Sequence, residues 1–402
     1  MAALPPGALS GRRVLDLSDE KAAYCGKLLA DAGADVIRIE PPGGDALRRL
    51  PPFLRDEPGE DASLFHLYVN TSKRAITLAL DRAEGAELLL RLARSADLVL
   101  ETLPPGRLDA LGLGWERLRA ENPRLVLTSV TGFGQTGPQR GFASSDLVAC
   151  ALGGQLHVTG AEEDPPVVLA GSQAYMLAGT CAAAASLVAM LAASATGEGQ
   201  RVDVSLLNGA LLAHAARLSV FFVTGEEPGR QGSAHPFMVP FQAFPARDGW
   251  IYVAVWVDRL WAPFCTAIER PALAADTRFT TRQDRLQNRN TLVALLEPVF
   301  LTRTVRAWMA RLEKHDVLCA PVNRYADLRD DPQVRASRML VEQEHPRAGR
   351  LTTLDTPIRF SRTPGGIREP APALGEHTDA VLRAAGVAPS EIGRLRSLGV
   401  VR

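Results

Sequence analysis

The sequence predicts an α/β fold in which a parallel sheet forms the core of the larger of two domains. Between Arg13 and Val130, short apolar runs alternate with helical patterns, as a parallel sheet with crossover helices requires. The runs are continuously apolar, which indicates strands buried on both faces. Glycines follow the helical patterns, as in DAGAD at 31–35, where a helix must end and turn back into a strand. The predicted class is a Rossmann-like large domain followed by a smaller α/β domain.

The predicted elements follow one another in a regular order as far as His214. Strands are predicted at six runs: VLDL at Val14, VIRIE at Val36, AITLAL at Ala75, DLVLE at Asp97, LVLTSV at Leu125 and RVDVSL at Arg201. Helices are predicted through Leu28 and Leu29, over 83–96, over 176–193 and through His214. The helix over 176–193 is rich in small residues, which allow close backbone approach in a core.

A change of composition predicts the domain boundaries. The stretch Gly225–Pro240 is rich in Gly, Pro and Gln, as is typical of a loop or junction. WIYVAV at Trp250 then opens a smaller unit with helices to about His315, and the proline-punctuated stretch 334–363 leads to the last helices. We expect a large domain over 1–222, a small domain over 223–330, and a segment over 331–402 that returns to the large domain.

The bulk composition excludes several classes of protein. Forty-five Lys and Arg residues balance 45 Asp and Glu residues, so no overall field attracts nucleic acid or an anionic membrane. The five cysteines are scattered without a CxxC pair, which favours reduced thiols over a disulfide or metal framework. They are Cys25, Cys150, Cys181, Cys265 and Cys319.

The chain also lacks clear targeting signals. Met176–Ser194 has about the length of a membrane span, but it is mostly alanine, which favours a buried core helix. Met1–Ser10 has neither the basic nor the apolar region of a secretory signal. We therefore expect a cytoplasmic protein that binds no nucleic acid, no metal and no membrane.

A GxGxxG pattern at Gly132, Gly134 and Gly137 directly follows a predicted strand. In a dinucleotide-binding fold this pattern opens a helix that receives the pyrophosphate. Here PQRG follows at 138–141, which predicts a loop. We therefore interpret the pattern as a tight turn, not as a nicotinamide site.

Seven phrases, in order and spanning nearly the whole chain, closely resemble the class III CoA-transferases, the family of formyl-CoA and carnitine CoA-transferases and of α-methylacyl-CoA racemase. They are GRRVLDLS at Gly11, LLADAGADVIRIEPPGGD at Leu28, NTSKRAITL at Asn70, ETLPPGRLDALGLGWERL at Glu101, NPRLVLTSVTGFGQTGP at Asn122, TGEGQRVDVSLL at Thr196 and LGEHTD at Leu374. The resemblance implies an acyl-CoA site in the crevice of the large domain and an interlocked dimer. It also implies coenzyme A or acyl-CoA as substrate, a carboxylic acid as second substrate, and no tightly bound cofactor.

The resemblance also suggests residues that bind CoA. Lys73 and Arg74 follow a polar turn and precede a strand, where paired cations can meet the CoA phosphates. Thr102, Leu103 and Leu111 fall at positions that contact the nucleotide or pantetheine in relatives, while Ala110 replaces a residue that is often basic. Arg38 and Glu40 are weaker candidates, because both also suit a structural role.

The position of the family nucleophile is the main departure. Relatives carry D-x-x-x-G at the start of the long helix, and its aspartate attacks the thioester to give a mixed anhydride. Counted without a gap from Pro165 to Gly179, this position is Tyr175. A phenol with a pKa near 10 stays neutral at pH 7 and cannot form an anhydride. Asp164 lies eleven residues earlier and is interpreted as a solvated turn residue.

A second departure lies after the first strand, where relatives have an AGP-containing loop over the acyl group. Here the loop reads SDEKAAYCGKLL and is about one residue shorter. Racemisation needs a His and an Asp as opposed bases, and FASSDLVAC lacks the expected histidine. Two changes near the reaction centre indicate a site released from its usual chemistry, and racemisation is disfavoured.

The hypothesis that best fits these departures is a non-catalytic subunit of a two-component CoA-transferase. Such a subunit pairs with a paralogue that supplies the aspartate, as in the family members that act on aryl-succinates, which this chain resembles in YCGKLLAD. Two alternatives stay open. The chain is a self-sufficient acyl-CoA transferase, hydrolase or isomerase that uses another residue, or it is a homodimeric CoA-binding protein without turnover.

Overall fold

The structure is a computed structural model that describes residues 4–402. The first three residues of the segment Met1–Ser10 and of the predicted large domain lie outside the described residues. The chain forms two compact units. Unit 1 consists of residues 4–155, Leu169–Val223 and Arg335–Arg402, and unit 2 of Leu156–Val168 and Thr224–Val334.

Unit 1 is built on a parallel sheet. Within the described residues its six strands are β1 (Arg13–Leu17), β2 (Asp35–Glu40), β3 (Arg74–Thr77), β4 (Leu98–Glu101), β5 (Val126–Thr131) and β6 (Arg201–Ser205). They lie in the order β3-β2-β1-β4-β5-β6 and every neighbouring pair is parallel. This order is that of Rossmann folds, so the predicted α/β class is confirmed. The predicted interlocked dimer stays a prediction.

Helices account for most of the remaining regular structure. Along the chain they are α1 (Ala23–Asp31), α2 (Leu64–Val69), α3 (Ala83–Ala93), α4 (Arg107–Ala110), α5 (Trp115–Glu121), α6 (Asp146–Leu152), α7 (Gln173–Thr196), α8 (Leu206–Leu212), α9 (Ala215–Thr224), α10 (Trp261–Ala267), α11 (Arg282–Gln287), α12 (Arg289–Phe300), α13 (Val305–Glu313), α14 (Tyr325–Leu328), α15 (Pro332–Ser337), α16 (Thr378–Ala384) and α17 (Pro389–Ser397). Short 3₁₀ turns occur at Ala46–Arg49, Leu54–Asp56, Asp258–Leu260 and Pro271–Ala275.

Both faces of the sheet are covered, as the continuously apolar strands predicted. On one face Leu15, Ile37 and Val99 pack in a single core with α3, α5, α16 and α17. On the other face, α7 contacts β5 and β6 and also packs on α1 and α8. Burial on both sides is the physical reason that the central strands β1 and β4 carry no polar alternation, whereas the edge strand β6 alternates exposed and partly buried residues.

Helix α7 is long and apolar enough to span a membrane by length and composition alone. Its alanine face is buried, with Ala178 and Ala182 at 0% exposure. This face packs as expected for the core helix that the sequence predicted. The opposite face exposes Val188 and Leu191 at 67% and 72%, which the sequence did not predict.

Two further sheets complete the fold in the described residues. Unit 2 contains the antiparallel sheet of β7 (Phe241–Ala246), β8 (Gly249–Ala254) and β9 (Leu318–Pro321), in that order. Unit 1 contains the hairpin of β10 (Leu340–His345) and β11 (Gly349–Leu354). The sequence did not predict β7, β9 or the hairpin. Pro245 argues against a strand in the sequence, but the structure accommodates this proline because β7 is an edge strand.

The predicted helix through His214 is also corrected. The structure has two helices there, α8 ending at Leu212 and α9 beginning at Ala215. The alanine-rich composition predicted continuity, but helix propensity is a weak determinant that tertiary packing overrides.

Candidate functional site

The candidate site begins where β1 and β4 end side by side. The strand order reverses between these two strands, and open sheets of this class bind ligands outside the carboxyl ends at that point. The two following loops are joined by a hydrogen bond, in which the backbone N–H of Asp19 donates to Oγ1 of Thr102 at 2.8 Å. Thr102 is 4% exposed, so its hydroxyl group links the two loops and is not freely presented to solvent.

Glu101 is the last residue of β4, and its carboxyl group is buried beneath the crevice. It accepts a hydrogen bond from the backbone N–H of Leu103 at 2.6 Å. Burial raises the pKa of Glu101 to about 7, although the hydrogen bonds from Ser129 and Leu103 oppose the rise. A carboxyl group with a pKa near neutrality at a ligand-binding crevice is a candidate functional group.

This pKa predicts a specific pH dependence of stability. Between the ordinary pKa of 4.5 and the folded value of about 7, the native state retains a proton that the unfolded chain has lost. Glu101 therefore lowers the free energy of unfolding as pH rises, by up to about 3 kcal/mol at about 1.4 kcal/mol per pKa unit. In urea titrations at pH 5 and pH 8, we expect Glu101→Gln to gain stability relative to wild type as pH rises. The exposed Glu116→Gln is the control, and a parallel response of both variants would contradict the assignment.

A cavity of about 490 Å³ opens at the same edge of the sheet. Leu17, Ile39 and Leu78 mark the ends of three strands in its lining, and Leu103 and Leu111 also line it. The structure therefore brings together two of the residues that the sequence proposed for CoA binding, with Thr102 directly before Leu103. The cavity lies within the 300–1,000 Å³ range typical of ligand sites.

Two exposed arginines, Arg82 and Arg107, also line this cavity. Sequence reasoning missed both. Arg107 stands in the phrase ETLPPGRLDALGLGWERL, and its place just beyond the carboxyl end of a predicted strand was the available signal. Guanidinium groups at the mouth of a cavity suit phosphate recognition.

The structure does not place Lys73 at this cavity. Lys73 is 2% exposed, and its Nζ donates to Oδ2 of Asp16 at 2.8 Å, Oδ1 of Asn70 at 3.0 Å and the carbonyl of Ala23 at 3.3 Å. These three acceptors match the three donors of an ammonium group. A phosphate contact by Lys73 would therefore require this buried arrangement to open, and its role in CoA binding stays a prediction.

Arg74 lies toward the opposite end of the sheet. Its guanidinium group donates from Nε and Nη2 to the carboxylate of Asp35, at 2.8 and 2.6 Å, and Asp35 is the first residue of β2. Arg74 is therefore separated from Leu103 and Leu111, which line the carboxyl edge. Its predicted contact with CoA phosphates is not supported by this placement.

The buried ion pair of Lys73 belongs to a larger network around Asp16. Burial would raise the pKa of Asp16, but Lys73 and Arg38 together outweigh it and lower the pKa. Arg38 also contacts the carbonyl of Ser18 and the carboxylate of Asp45. The first weak candidate for CoA binding, Arg38, therefore has protein partners.

Glu40, the second weak candidate, also has protein partners. Its carboxylate accepts two hydrogen bonds from Arg48, each of 2.7 Å, although Glu40 also lines the cavity at the carboxyl edge. Both Arg38 and Glu40 thus hold the loop after β2.

Tyr175 lies in the first turn of α7. The N-cap residue of α7, Ser172, forms no capping hydrogen bond through its side chain. The backbone N–H of Tyr175 instead donates to Oδ1 of Asp146 at 3.0 Å. Asp146 is the first residue of α6, whose own N-cap is Ser145. A carboxylate from a neighbouring helix therefore caps the positive end of α7. Sequence reasoning missed this role of Asp146.

The surroundings of Tyr175 are acidic. Burial raises the pKa of its phenol to about 12, and the carboxylates of Glu20, Asp19 and Asp146 also favour the neutral form. The phenol is thus a neutral hydrogen-bonding group and not an attacking anion.

Two further sequence predictions concern loop residues. The glycine pattern lies in the loop between β5 and α6, and the N–H of Gly134 donates to Oγ1 of Thr131 at 2.9 Å; the predicted turn is confirmed. Asp164 is exposed and its N–H closes a turn to Ala161, as predicted for a turn residue. Within residues 4–402, no three His, Cys, Asp or Glu side chains are placed to hold a metal ion.

Comparison with known proteins relates this geometry to a family. The model of CoA-transferase family III matches residues 9–378. The chain is 36% identical over 398 residues to succinyl-CoA:mesaconate CoA-transferase of Haloarcula hispanica, with 95% of this chain and 97% of that protein covered. It is 33% identical over 401 residues to subunit BbsE of succinyl-CoA:(R)-benzylsuccinate CoA-transferase of Thauera aromatica, with 97% of each covered. The crystal structure of a CAIB/BAIF family protein from Brucella suis superposes with a TM-score of 0.84 at 32% identity, covering 95% of this chain and 100% of that one.

Proposed function

Because the chain belongs to CoA-transferase family III, we propose that it is the subunit without the nucleophile in a two-component enzyme that transfers CoA from an acyl-CoA thioester to a carboxylic acid. The observation that carries this proposal is the first turn of α7. At the position of the family aspartate stands the neutral phenol of Tyr175, with a pKa of about 12. A phenol cannot form the mixed anhydride through which an aspartate relays the acyl group.

The relatives suggest succinyl-CoA as the donor. Relatives named for succinyl-CoA include a mesaconate CoA-transferase and the BbsE subunit of a benzylsuccinate CoA-transferase. We propose that succinyl-CoA donates CoA and that a dicarboxylic acid accepts it. The cavity at the carboxyl edge, with Leu103 and Leu111 in its wall and Arg82 and Arg107 at its mouth, supports CoA binding by this chain.

The surface of unit 1 supports assembly with a second chain. Besides the exposed face of α7, helix α9 exposes Phe222 and Val223 at 77% and 86%. Exposed large apolar side chains on each of these helices favour burial in an interface. We propose that a paralogous subunit with the aspartate covers these faces, as the resemblance to interlocked dimers implies.

The experiment compares the purified chain alone with the chain co-expressed with a paralogue that carries aspartate at the matching position. We expect no CoA exchange between succinyl-CoA and dicarboxylic acids for the chain alone, and exchange for the pair. The paralogue purified alone is the control, since its full activity without this chain would remove the need for a second subunit. Turnover by the chain alone would overturn the proposal.

A second candidate function rests on Asp146. Its carboxylate is the acidic group that contacts the backbone of Tyr175, at 3.0 Å, so it lies where another nucleophile would have to stand in a self-sufficient enzyme. Turnover by the chain alone that Asp146→Asn abolishes would assign the reaction to this carboxylate. A homodimer that binds CoA without turnover would instead indicate a CoA-binding protein.

A further inference from the structure

A second cavity, of about 340 Å³, lies at the amino end of the parallel sheet. Four arginines line it: Arg13, Arg74, Arg91 and Arg94. Arg13 and Arg74 are the first residues of β1 and β3, whereas Leu17, which lines the cavity at the carboxyl edge, is the last residue of β1. Four steps along a strand correspond to roughly 13 Å. The arginine cavity, as we call it, is therefore distinct from the proposed CoA site.

Positive charge in the arginine cavity is only partly neutralised. Within the described part of the chain, none of the residues lining it is acidic. Asp35 alone receives hydrogen bonds from both Arg13, at 2.9 Å, and Arg74. One carboxylate thus pairs with two guanidinium groups.

The two lining arginines at the end of α3 show the same imbalance. Arg94 donates to Glu121 at 2.8 Å, but Glu121 also pairs with Arg117 at 3.3 Å. Arg91 donates to the carbonyl of Gly386 at 2.7 Å and to no carboxylate in the described residues. Counted with Arg117, which pairs with Glu121 but does not line the cavity, five arginines share two carboxylates.

Two helix ends reduce this excess without removing it. Helices α3 and α16 both end beside the cavity, with Leu92 and Ala384 among its lining residues, and each carboxyl end carries about half a negative charge. The excess of three positive charges falls to about two. A ligand with two negative charges would balance it.

We propose that the arginine cavity binds a small oxyanion carrying two or more negative charges, either a phosphate compound or a dicarboxylate. Each guanidinium group is planar and carries five N–H donors, a geometry that matches carboxylate and phosphate oxygens. Arg74 uses two of its nitrogens on Asp35, which leaves Nη1 for a ligand. The buried side chains of Ile37, Leu92 and Val381 form an apolar floor, where water competes less for these bonds.

The test is calorimetric titration of the full chain with inorganic pyrophosphate and, separately, with succinate, at about 0.15 M salt so that long-range attraction is screened. We expect saturable binding of at least one probe, and the probe that binds identifies the source as phosphate or carboxylate. The titrations are repeated with excess CoA, which should leave the binding unchanged. Loss of all binding in the presence of CoA, or no saturable binding of either probe, overturns the proposal.

Matched variants assign the binding to the cavity. Arg91→Gln and Arg94→Gln are each expected to raise Kd about tenfold, since a charged hydrogen bond is lost, while Arg119→Gln, an exposed arginine of α5 outside the cavity, changes it less than about twofold. Arg94→Gln leaves the bond of Arg91 to Gly386 intact, so it remains informative if Arg91→Gln unfolds. Equal weakening by Arg119→Gln, or unchanged binding in both cavity variants, refutes the assignment.

Discussion

The Tyr175→Asp variant is expected to form a covalent acyl-enzyme with succinyl-CoA, whereas the wild-type chain forms none. The substitution places a carboxylate in the first turn of α7, near Asp19 and Glu20 of the loop after β1, whose charges act on Tyr175. The carboxylate attacks the thioester carbonyl, an anhydride bond forms, and the C–S bond breaks to release CoA thiolate. Free thiol release and conversion of the adduct to a hydroxamate by hydroxylamine measure the step.

Two substitutions at the same position serve as controls. Tyr175→Asn has nearly the shape of the aspartate variant but no nucleophilic carboxylate, and Tyr175→Phe removes only the phenol oxygen. Neither should release CoA or give a hydroxamate. Hydroxamate formation by the wild-type chain would show that another residue attacks. The proposal that this chain is the subunit without the nucleophile would then be wrong.

Replacement of Lys73 by methionine is expected to cost about 3–5 kcal/mol of unfolding free energy. Asp16 and Lys73 are both fully buried in side chain, so removing the ammonium group leaves an uncompensated buried carboxylate. The backbone of α1 lies close to this ion pair at Gly26, because a Cβ there would lie 2.5 Å from Oδ2 of Asp16 and 2.7 Å from Nζ of Lys73. Chemical denaturation at pH 7 measures the loss.

The double variant Asp16→Asn/Lys73→Met should recover part of that stability, because it removes both charges. In wild type the lowered pKa of Asp16 contributes stability that is present above pH 3.8 and is lost as the pH falls through the folded pKa. Lys314→Met, at an exposed position, controls for loss of a lysine. If Lys73→Met instead raised the Kd for CoA while leaving stability unchanged, Lys73 would be a phosphate ligand and not a buried partner of Asp16.

Local patterns predicted most of the parallel sheet. The runs at Val14, Val36, Asp97 and Leu125 became β1, β2, β4 and β5, because strands buried on both faces are rich in apolar residues without regular alternation. The same reasoning missed the hairpin of β10 and β11, whose residues alternate between partly buried and exposed. In a strand with only one covered face, the polar and charged residues of the exposed face interrupt the apolar run by which strands were predicted.

The candidate site was predicted less completely than the fold. Position Tyr175 follows from the sequence alone, because the missing carboxylate is a matter of residue identity. The neighbours of Tyr175 do not: Asp146 is 29 residues away and reaches its N–H only because α6 and α7 pack together. The near-neutral pKa of Glu101 likewise depends on burial, which no spacing of residues encodes.

The sequence by itself determined the α/β class, the family and the absence of an aspartate at position 175, since each depends on residue types in order. Only the tertiary structure decided which charges are free to meet a ligand. Lys73 and Arg74 are adjacent in the chain, yet one is enclosed beside Asp16 and the other lines the arginine cavity. Successive side chains of an extended segment point in opposite directions, so neighbours in sequence enter different environments and acquire different roles.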